Sequence, residues 1–179
     1  MTSIAVFLGS SRGTSPTLAH AARTTGTALA RRGWRLIYGG AHRGLMGELA
    51  DAALAAGGEV YGVLPRDLEA RELAHRGLTR LDLVDSMAAR KDRMMALADG
   101  FLTLPGGYGT LDELFEVLTA AQLGHHAKPT ALWSLDGYYA PLAAWIDGAV
   151  ATGMLAPAYR DLVSVHAELD DALAALAPR

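Results

Sequence analysis

A glycine-rich segment followed closely by carboxylates is the strongest chemical signal in this sequence. Residues 104–110 read LPGGYGT, and Asp112, Glu113 and Glu116 follow soon after. A loop without Cβ atoms lets backbone N–H groups approach an anion, and the N-terminus of a following helix favours the same anion. A nearby carboxylate could act as a general base or stabilise a developing positive charge. Three interpretations are open: a plain strand–turn–helix corner, a loop that only binds phosphate, and the floor of an active site.

The role of Glu113 is open between structure and catalysis. Residues 110–113 read TLDE, which matches the capping-box pattern, with Thr110 as the cap and Glu113 bonding back to its N–H. That interpretation explains both residues without any function. The acidic side chains would also weaken a site that only binds phosphate, because their charge repels an anion at the same helix end.

Two cations lie on a second predicted helix, residues 86–98. At helical spacing, Arg90 falls inside the buried stripe of this helix and Lys91 falls at its margin. The apolar members of the stripe are Met87, Met94, Leu97 and Ala98. Either the long side chains reach out to water, or the two cations face an anion or a carboxylate. An unpaired buried charge is very costly, so we expect Arg90 to have a partner.

The elements that would hold these residues alternate along the chain. The predicted strands are 4–8, 35–38, 59–63, 81–84, 100–104, 130–133 and 162–165. The predicted helices are 15–32, 44–56, 86–98, 110–123, 138–151 and 168–176. Short apolar runs separated by helices are typical of parallel strands buried on both faces. We therefore expect one α/β domain over residues 1–179, a Rossmann-like, doubly wound, mostly parallel sheet of about seven strands with helices on both faces.

Three predicted strands lead directly into glycine-rich loops, at 8–13, 38–47 and 104–110. Ligands of an open parallel sheet bind at the carboxyl ends of its strands, so these loops predict a site for a phosphate-bearing ligand. There is no G-x-x-x-x-G-K-[ST] motif, and no G-x-G-x-x-G follows the first strand. The sequence therefore favours a mononucleotide over a dinucleotide, with Ser10 as a loop hydroxyl for the phosphate.

Composition argues against several other classes of protein. The formal net charge is −3 with scattered basic residues, so we expect no nucleic-acid partner. The absence of cysteine excludes disulfides and thiolate metal sites, and the six histidines lack metal-binding spacing, so we expect no metal. The first apolar run, 4–8, is too short for a signal peptide and no later run approaches a membrane span. We therefore expect a cytoplasmic protein without a membrane partner.

The glycine loop also carries a family resemblance. Residues 105–113 read PGGYGTLDE, which resembles the PGGxGTxxE signature of the LONELY GUY (LOG) family, the cytokinin riboside 5′-monophosphate phosphoribohydrolases. The resemblance covers nearly the whole chain, and its other parts are GSS at 9–11, YGG and GLMG within 38–47, ARK at 89–91 and KP at 128–129. The chain departs from the family pattern at Ala41, usually glycine, and at Ala88, often histidine.

The resemblance implies hydrolysis of the N-glycosidic bond of N6-substituted AMP or AMP, which releases the free base and ribose 5-phosphate without a cofactor. It implies that Arg90 and Glu113 are the catalytic pair, and we expect Arg90 to keep Glu113 ionised by lowering its pKa. The implied substrate-binding residues are Glu72, Arg90, Lys91, Gly106, Gly107, Tyr108, Gly109, Thr110, Leu111 and Asp112. The family also implies a homodimer with the active site near the subunit interface, and alanine-rich outer helices at 50–56 and 140–144 offer flat faces for it.

Two other functions are weighed against this one. The first is a non-enzymatic nucleotide-binding or regulatory protein on the same fold, which the presence of both Arg90 and Glu113 disfavours. The second is lysine decarboxylation, an older label of the family. That chemistry normally needs pyridoxal phosphate on a lysine, and this chain has only Lys91 and Lys128.

Overall fold

The computed structural model describes residues 1–70 and 73–177, in which strands and helices alternate. The strands are β1 (Ser3–Phe7), β2 (Arg35–Tyr38), β3 (Val60–Pro65), β4 (Arg80–Val84), β5 (Gly100–Thr103), β6 (Thr130–Trp133) and β7 (Ser164–His166). The helices are α1 (Pro16–Arg31), α2 (Gly44–Ala55), α3 (Arg66–Ala70), α4 (Met87–Leu97), α5 (Tyr108–Gln122), α6 (Ala140–Ala151) and α7 (Leu169–Ala175). The short helix α3 is missing from the sequence prediction.

All seven strands form one parallel sheet in the order β4-β3-β2-β1-β5-β6-β7. The chain runs outward from β1 to β4 and then returns to place β5 on the other side of β1. The strand order therefore reverses between β1 and β5, which is the position where open α/β sheets bind ligands. The predicted doubly wound, parallel fold is confirmed.

Alternating strand residues supply a core on each face of the sheet. In β1, Ile4 and Val6 pack with α1, α2 and α7, whereas Ala5 and Phe7 pack on the opposite face with α4 and α5. A third cluster joins α5, α6 and β6. Strands buried on both faces need continuous apolar runs, which is why these runs predicted the sheet correctly. In the part of the chain that the structure describes, no helix is long and apolar enough to cross a membrane.

The start of α5 differs from the prediction, and the capping box is wrong. The helix begins at Tyr108 with Gly107 as its N-cap, and no side chain caps it. The first helical bond runs from the N–H of Leu111 to the carbonyl of Gly107, at 3.1 Å. Thr110 therefore lies inside the first turn and Glu113 nearly a turn beyond it. The reason is the glycine run, which lets the backbone enter the helix two residues earlier than the polar pattern indicates.

Two expectations about exposed faces also need correction. The sequence pattern predicts Met87 in the buried stripe of its helix, but it is 44% exposed because it is the first residue of α4. Ala50 and Ala53 of α2 are almost fully buried against α1 in the core, so they cannot form an outer face for a second subunit. Residues 140–144 do lie mostly at the surface.

Candidate active site

A cavity of about 440 Å³ opens at the carboxyl ends of the central strands. All three glycine-rich loops contribute to its lining, as predicted: Ser10 from the first, Gly39 from the second and residues 107–110 from the third. The loops after β1 and β5 meet there because these strands are neighbours on either side of the reversal in strand order. One wall of the cavity is apolar and is formed by Met46, Leu64, Leu68, Leu73 and Met87.

Arg90 and Glu113 form an ion pair inside this cavity. Arg90 Nη1 lies 3.3 Å from Glu113 Oε1, and both side chains are about nine-tenths buried. The pairing follows from the amphipathic patterns of α4 and α5. One helical turn further along, the same inward faces carry Met94 and Val117, which belong to the core. The inward stripe of each helix thus continues into a charged residue where the helix end meets the cavity. The expectation that Arg90 has a partner is confirmed.

Further contacts fix the guanidinium of Arg90. Its Nε donates a hydrogen bond of 3.1 Å to the carbonyl of Val63, in β3. Gly39 lies directly against the same group, since a Cβ atom there would be 1.6 Å from Arg90 Nη2. Glycine at this position makes room for the arginine, a role that the sequence reading missed because it assigned the whole loop to an anion. The only sequence signal for this role is that a glycine, Gly39, occurs together with a long side chain, Arg90, at a distant position in the chain.

The electrostatic state of Glu113 differs from the expectation. Burial raises the pKa of Glu113 from its ordinary value of 4.5 to about 7. The positive charge of Arg90 opposes this rise and so does Lys91, while the charge of Asp112 adds to it. The prediction that Arg90 keeps this pKa low is wrong in its net direction, because removal from water outweighs one ion pair at 3.3 Å. Near neutral pH the carboxyl group can therefore either hold a proton or accept one.

The N-terminus of α5 faces the same cavity. The first N–H groups of a helix have no helical partner, and here the first helical bond starts only at Leu111. The N–H groups of residues 107–110 are therefore oriented for a ligand, and all four residues line the cavity. The helix dipole adds positive potential at this end. The N-terminal end of α5 and a buried Arg–Glu pair thus share one cavity.

Comparison with known proteins identifies the family of this chain. Residues 46–176 match a family model described as "possible lysine decarboxylase". A cytokinin riboside 5′-monophosphate phosphoribohydrolase of Rhodococcoides fascians is 46% identical over 175 residues, which cover 97% of this chain and 88% of the relative. An Arabidopsis thaliana protein of the same name is 44% identical, over 89% of this chain and 74% of the relative. The chain belongs to the LOG family.

Solved structures show that the LOG-family fold is shared more widely. The molybdenum cofactor carrier protein of Chlamydomonas reinhardtii superposes with a TM-score of 0.75, at 24% identity over 97% of this chain and 94% of that chain. A molybdenum cofactor binding protein of Rippkaea orientalis gives a TM-score of 0.71 at 21% identity, over 97% of this chain and 93% of that chain. At these identities the likeness concerns the fold alone.

The residues that the sequence and the LOG-family resemblance predict for the site fall into two groups. Those that line the cavity are Ser10, Arg90, Gly107, Tyr108, Gly109, Thr110 and Glu113. Those outside its lining are Lys91, Gly106, Leu111 and Asp112, and Gly106 lies directly beside it. Glu72 lies outside the described residues. The ligand and catalytic roles of both groups and of Glu72 stay predictions.

Lys91 has a clear structural partner in this LOG-family chain. Its Nζ lies 2.6 Å from Glu116 Oε2 and 2.9 Å from Asp112 Oδ2. The hydrogen bond with Glu116 is the largest influence on the pKa of Lys91, which is raised, and the bond with Asp112 acts in the same direction. This contact offsets the negative charges on the first turns of α5. The conflict between those carboxylates and a phosphate at the helix end is thereby reduced.

The other lysine lies at the amino end of a strand, whereas the cavity opens at the carboxyl ends. Lys128 precedes β6, and its Nζ donates a 2.7 Å hydrogen bond to the carbonyl of Met95. Neither lysine lines the cavity. Within residues 1–70 and 73–177, no group of three or more His, Cys, Asp or Glu side chains is placed to hold a metal ion.

Proposed function

We propose that the protein hydrolyses the N-glycosidic bond of a nucleoside 5′-monophosphate, either AMP or a cytokinin riboside 5′-monophosphate. The observation that carries this proposal is the buried Arg90–Glu113 pair, which lies in the same cavity as the N-terminal end of α5. A phosphate at the helix end would leave the sugar beside the carboxyl group. Membership in the LOG family, whose curated relatives carry this activity in their names, supports the same reaction.

The phosphate would provide the binding energy that positions the sugar. The N–H groups of residues 107–110 and the Ser10 hydroxyl would hold it, with Thr110 supporting the loop beside Gly106. Binding energy from this remote group orients the reacting bond, so it lowers the barrier to the chemical step. The family-implied residues Glu72, Lys91, Leu111 and Asp112 are retained in the proposal as the second part of the nucleotide site.

Glu113 would act on the anomeric carbon. When the bond from C1′ to the base breaks, its electron pair leaves with the base and positive charge develops on the ribose. The Glu113 carboxylate stabilises that charge and takes a proton from the water whose oxygen attacks C1′. The proton then passes to the departing base, so the products are the neutral free base and ribose 5-phosphate. A pKa of about 7 suits a base that must accept a proton near neutral pH.

Arg90 would tune this carboxyl group. Burial raises the pKa of Glu113, and the positive charge of Arg90 is the strongest influence that lowers it. Arg90 therefore keeps part of the Glu113 population ionised at neutral pH. The Val63 carbonyl and the space above Gly39 hold the guanidinium in place. Arg90 and Glu113 are therefore proposed as the catalytic pair.

The apolar wall of the cavity supports an N6-substituted base. Leucine and methionine side chains line the same cavity as the Arg–Glu pair. An N6-isopentenyl group would remove apolar surface from water there, and burial of one such side chain is worth about 1.5–3 kcal/mol. We therefore propose that cytokinin riboside 5′-monophosphates are better substrates than AMP.

We also propose that the protein acts in the cytoplasm as a homodimer, without a cofactor and without a nucleic-acid or membrane partner. The family resemblance supports the dimer. Tyr108, at the rim of the cavity, is 95% exposed, and a large aromatic side chain in that position could be covered by a second subunit beside the site. All seven strands belong to one sheet, which supports a single domain over residues 1–179.

The direct test is incubation with AMP and with isopentenyladenosine monophosphate, followed by chromatography of the products. We expect free base and ribose 5-phosphate from both, with faster turnover of the isopentenyl substrate. Adenosine is the matched control, because it keeps the glycosidic bond and lacks the phosphate. Tight binding of AMP in calorimetry, with AMP recovered intact, would instead support the non-enzymatic nucleotide-binding protein.

A further inference from the structure

Residues 104–106 of the glycine-rich loop have their carbonyl groups held by donors from other parts of the chain. The carbonyl of Leu104 accepts a hydrogen bond of 2.7 Å from the Tyr139 hydroxyl. The carbonyl of Pro105 accepts one of 3.2 Å from the N–H of Gly9, in the loop after β1. These two bonds fix the first half of the loop against β1 and against the segment that follows β6.

The third carbonyl, at Gly106, accepts a hydrogen bond of 2.7 Å from the Tyr138 hydroxyl. The peptide bond between Gly106 and Gly107 is trans, so its C=O and N–H groups point in opposite directions. With the carbonyl held by Tyr138, the N–H of Gly107 points to the other side, and Gly107 lines the cavity. Glycine on both sides of a peptide leaves it free to rotate, so a bond to its carbonyl restricts it strongly.

A tight turn directly after β6 presents Tyr138 to the loop. Asp136 (φ 50°, ψ 32°) and Gly137 (φ 76°) occupy two successive left-handed positions, and the N–H of Tyr138 bonds to the carbonyl of Leu135 at 3.0 Å. This is the geometry of a type I′ turn, for which Asp-Gly is a preferred pair. Among the residues that the structure describes, Asp136 alone has a positive φ without being glycine. Strained positions of this kind persist where the surrounding structure requires them, often beside functional sites.

The turn separates the roles of the two tyrosines. Tyr139 is 2% exposed and its ring packs edge-on against that of Tyr138, with centroids 5.1 Å apart. Tyr138 is 50% exposed and lies outside the cavity lining. A half-exposed tyrosine contributes little to the core, so its hydroxyl bond to the loop is its most specific contact. Loss of that hydroxyl should change the loop far more than the stability of the fold.

We propose that Tyr138 is a positioning residue for substrate binding, which orients the N–H of Gly107 toward the 5′-phosphate of the nucleotide. It acts through the loop and does not contact the substrate. This inference rests on the proposed phosphate site at α5, and it does not depend on whether the bound nucleotide is then hydrolysed.

The test is Tyr138→Phe, which removes one oxygen atom and keeps the ring. We expect kcat/KM for AMP to fall roughly tenfold, the typical effect of losing one hydrogen bond to a charged group. Calorimetry with ribose 5-phosphate should show the same roughly tenfold weakening, while adenosine binding is unchanged. The melting temperature should remain that of the wild type.

Tyr159→Phe is the matched control, since it removes a hydroxyl from a partly buried tyrosine outside the cavity lining. It should leave the affinity for ribose 5-phosphate unchanged. Wild-type affinity for ribose 5-phosphate in Tyr138→Phe would overturn the proposal, as would equal weakening for ribose 5-phosphate and adenosine. If the wild type binds ribose 5-phosphate without hydrolysing AMP, the proposed reaction fails but calorimetry still decides the role of Tyr138. Absence of ribose 5-phosphate binding in the wild type would overturn the phosphate site and this inference together.

Discussion

Ionisation of the buried carboxyl group of Glu113 should make stability depend on pH in a defined direction. The pKa of Glu113 is about 7 in the folded protein against an ordinary value of 4.5. The folded state therefore binds this proton more tightly than the unfolded state does. Between these two pH values the free energy of unfolding must fall as pH rises. The difference corresponds to a loss on the order of 3 kcal/mol, complete once the pH exceeds about 7.

Glu113→Gln supplies the reference, because glutamine has nearly the same shape and does not titrate. Urea unfolding of both proteins at several pH values from 4.5 to 8 measures the difference in free energy of unfolding. We expect the wild type to lose up to about 3 kcal/mol relative to Glu113→Gln across this range, with no further change above it. A difference that stays constant within about 0.5 kcal/mol would refute the argument that burial controls this group.

The same titration should appear in catalysis. If the carboxylate is the active form, kcat/KM for AMP should rise with pH and level off above about pH 7, the pKa of Glu113. The phosphate of AMP itself titrates near pH 6. Ribose 5-phosphate binding measured over the same pH range gives the contribution of the phosphate, which can then be subtracted. A rate that falls as the pH rises from 5 to 7 would contradict the role of the carboxylate.

Four other predictions concern the ion pair, the cofactor and the assembly. Arg90→Ala should move the pH profile of activity to higher pH, because the positive charge that lowers the pKa of Glu113 is lost, and an unchanged profile would count against the ion pair. Gly39→Ala should lower kcat at least tenfold, because its Cβ atom would lie 1.6 Å from the guanidinium of Arg90, and a wild-type kcat would count against this geometry. The protein should show no visible absorbance of a pyridoxal phosphate aldimine and should release no cadaverine from lysine, and detection of either would restore the decarboxylase interpretation. Light scattering at micromolar concentration should give the mass of a dimer, whereas the 18.8 kDa mass of one chain would contradict the proposed assembly.

Much of the fold could be predicted because it depends on local patterns. The bounds of β2 and β6 match the apolar runs at 35–38 and 130–133, since strands buried on both faces need such runs. The inward position of Arg90 could also be predicted, because a charge in an apolar stripe is conspicuous. The start of α5 was wrong because glycine adopts helical and non-helical conformations equally well, so the run at 106–109 hides the boundary.

The supporting contacts of the site could not be predicted in the same way. Tyr138 and Gly106 are 32 residues apart in sequence, and their bond depends on a hydroxyl meeting a carbonyl across two loops. The fit of Gly39 against Arg90 likewise appears only when β2 and α4 are packed together. The pKa of Glu113 depends on how deeply α5 is buried, and the sequence shows the charged neighbour but not the loss of water. Local patterns therefore predict the elements, and tertiary packing determines the chemistry.

The most direct test of the account is the kcat of Glu113→Gln with AMP. Since Glu113 does not cap α5, any loss of activity cannot come from a broken helix cap. If its negative charge stabilises the ribosyl cation or activates water, kcat should fall about 10²–10⁴-fold while calorimetry still detects AMP binding. A variant that binds AMP and retains more than roughly a third of the wild-type kcat would contradict the assignment, because loss of a general base should reduce the rate at least a hundredfold.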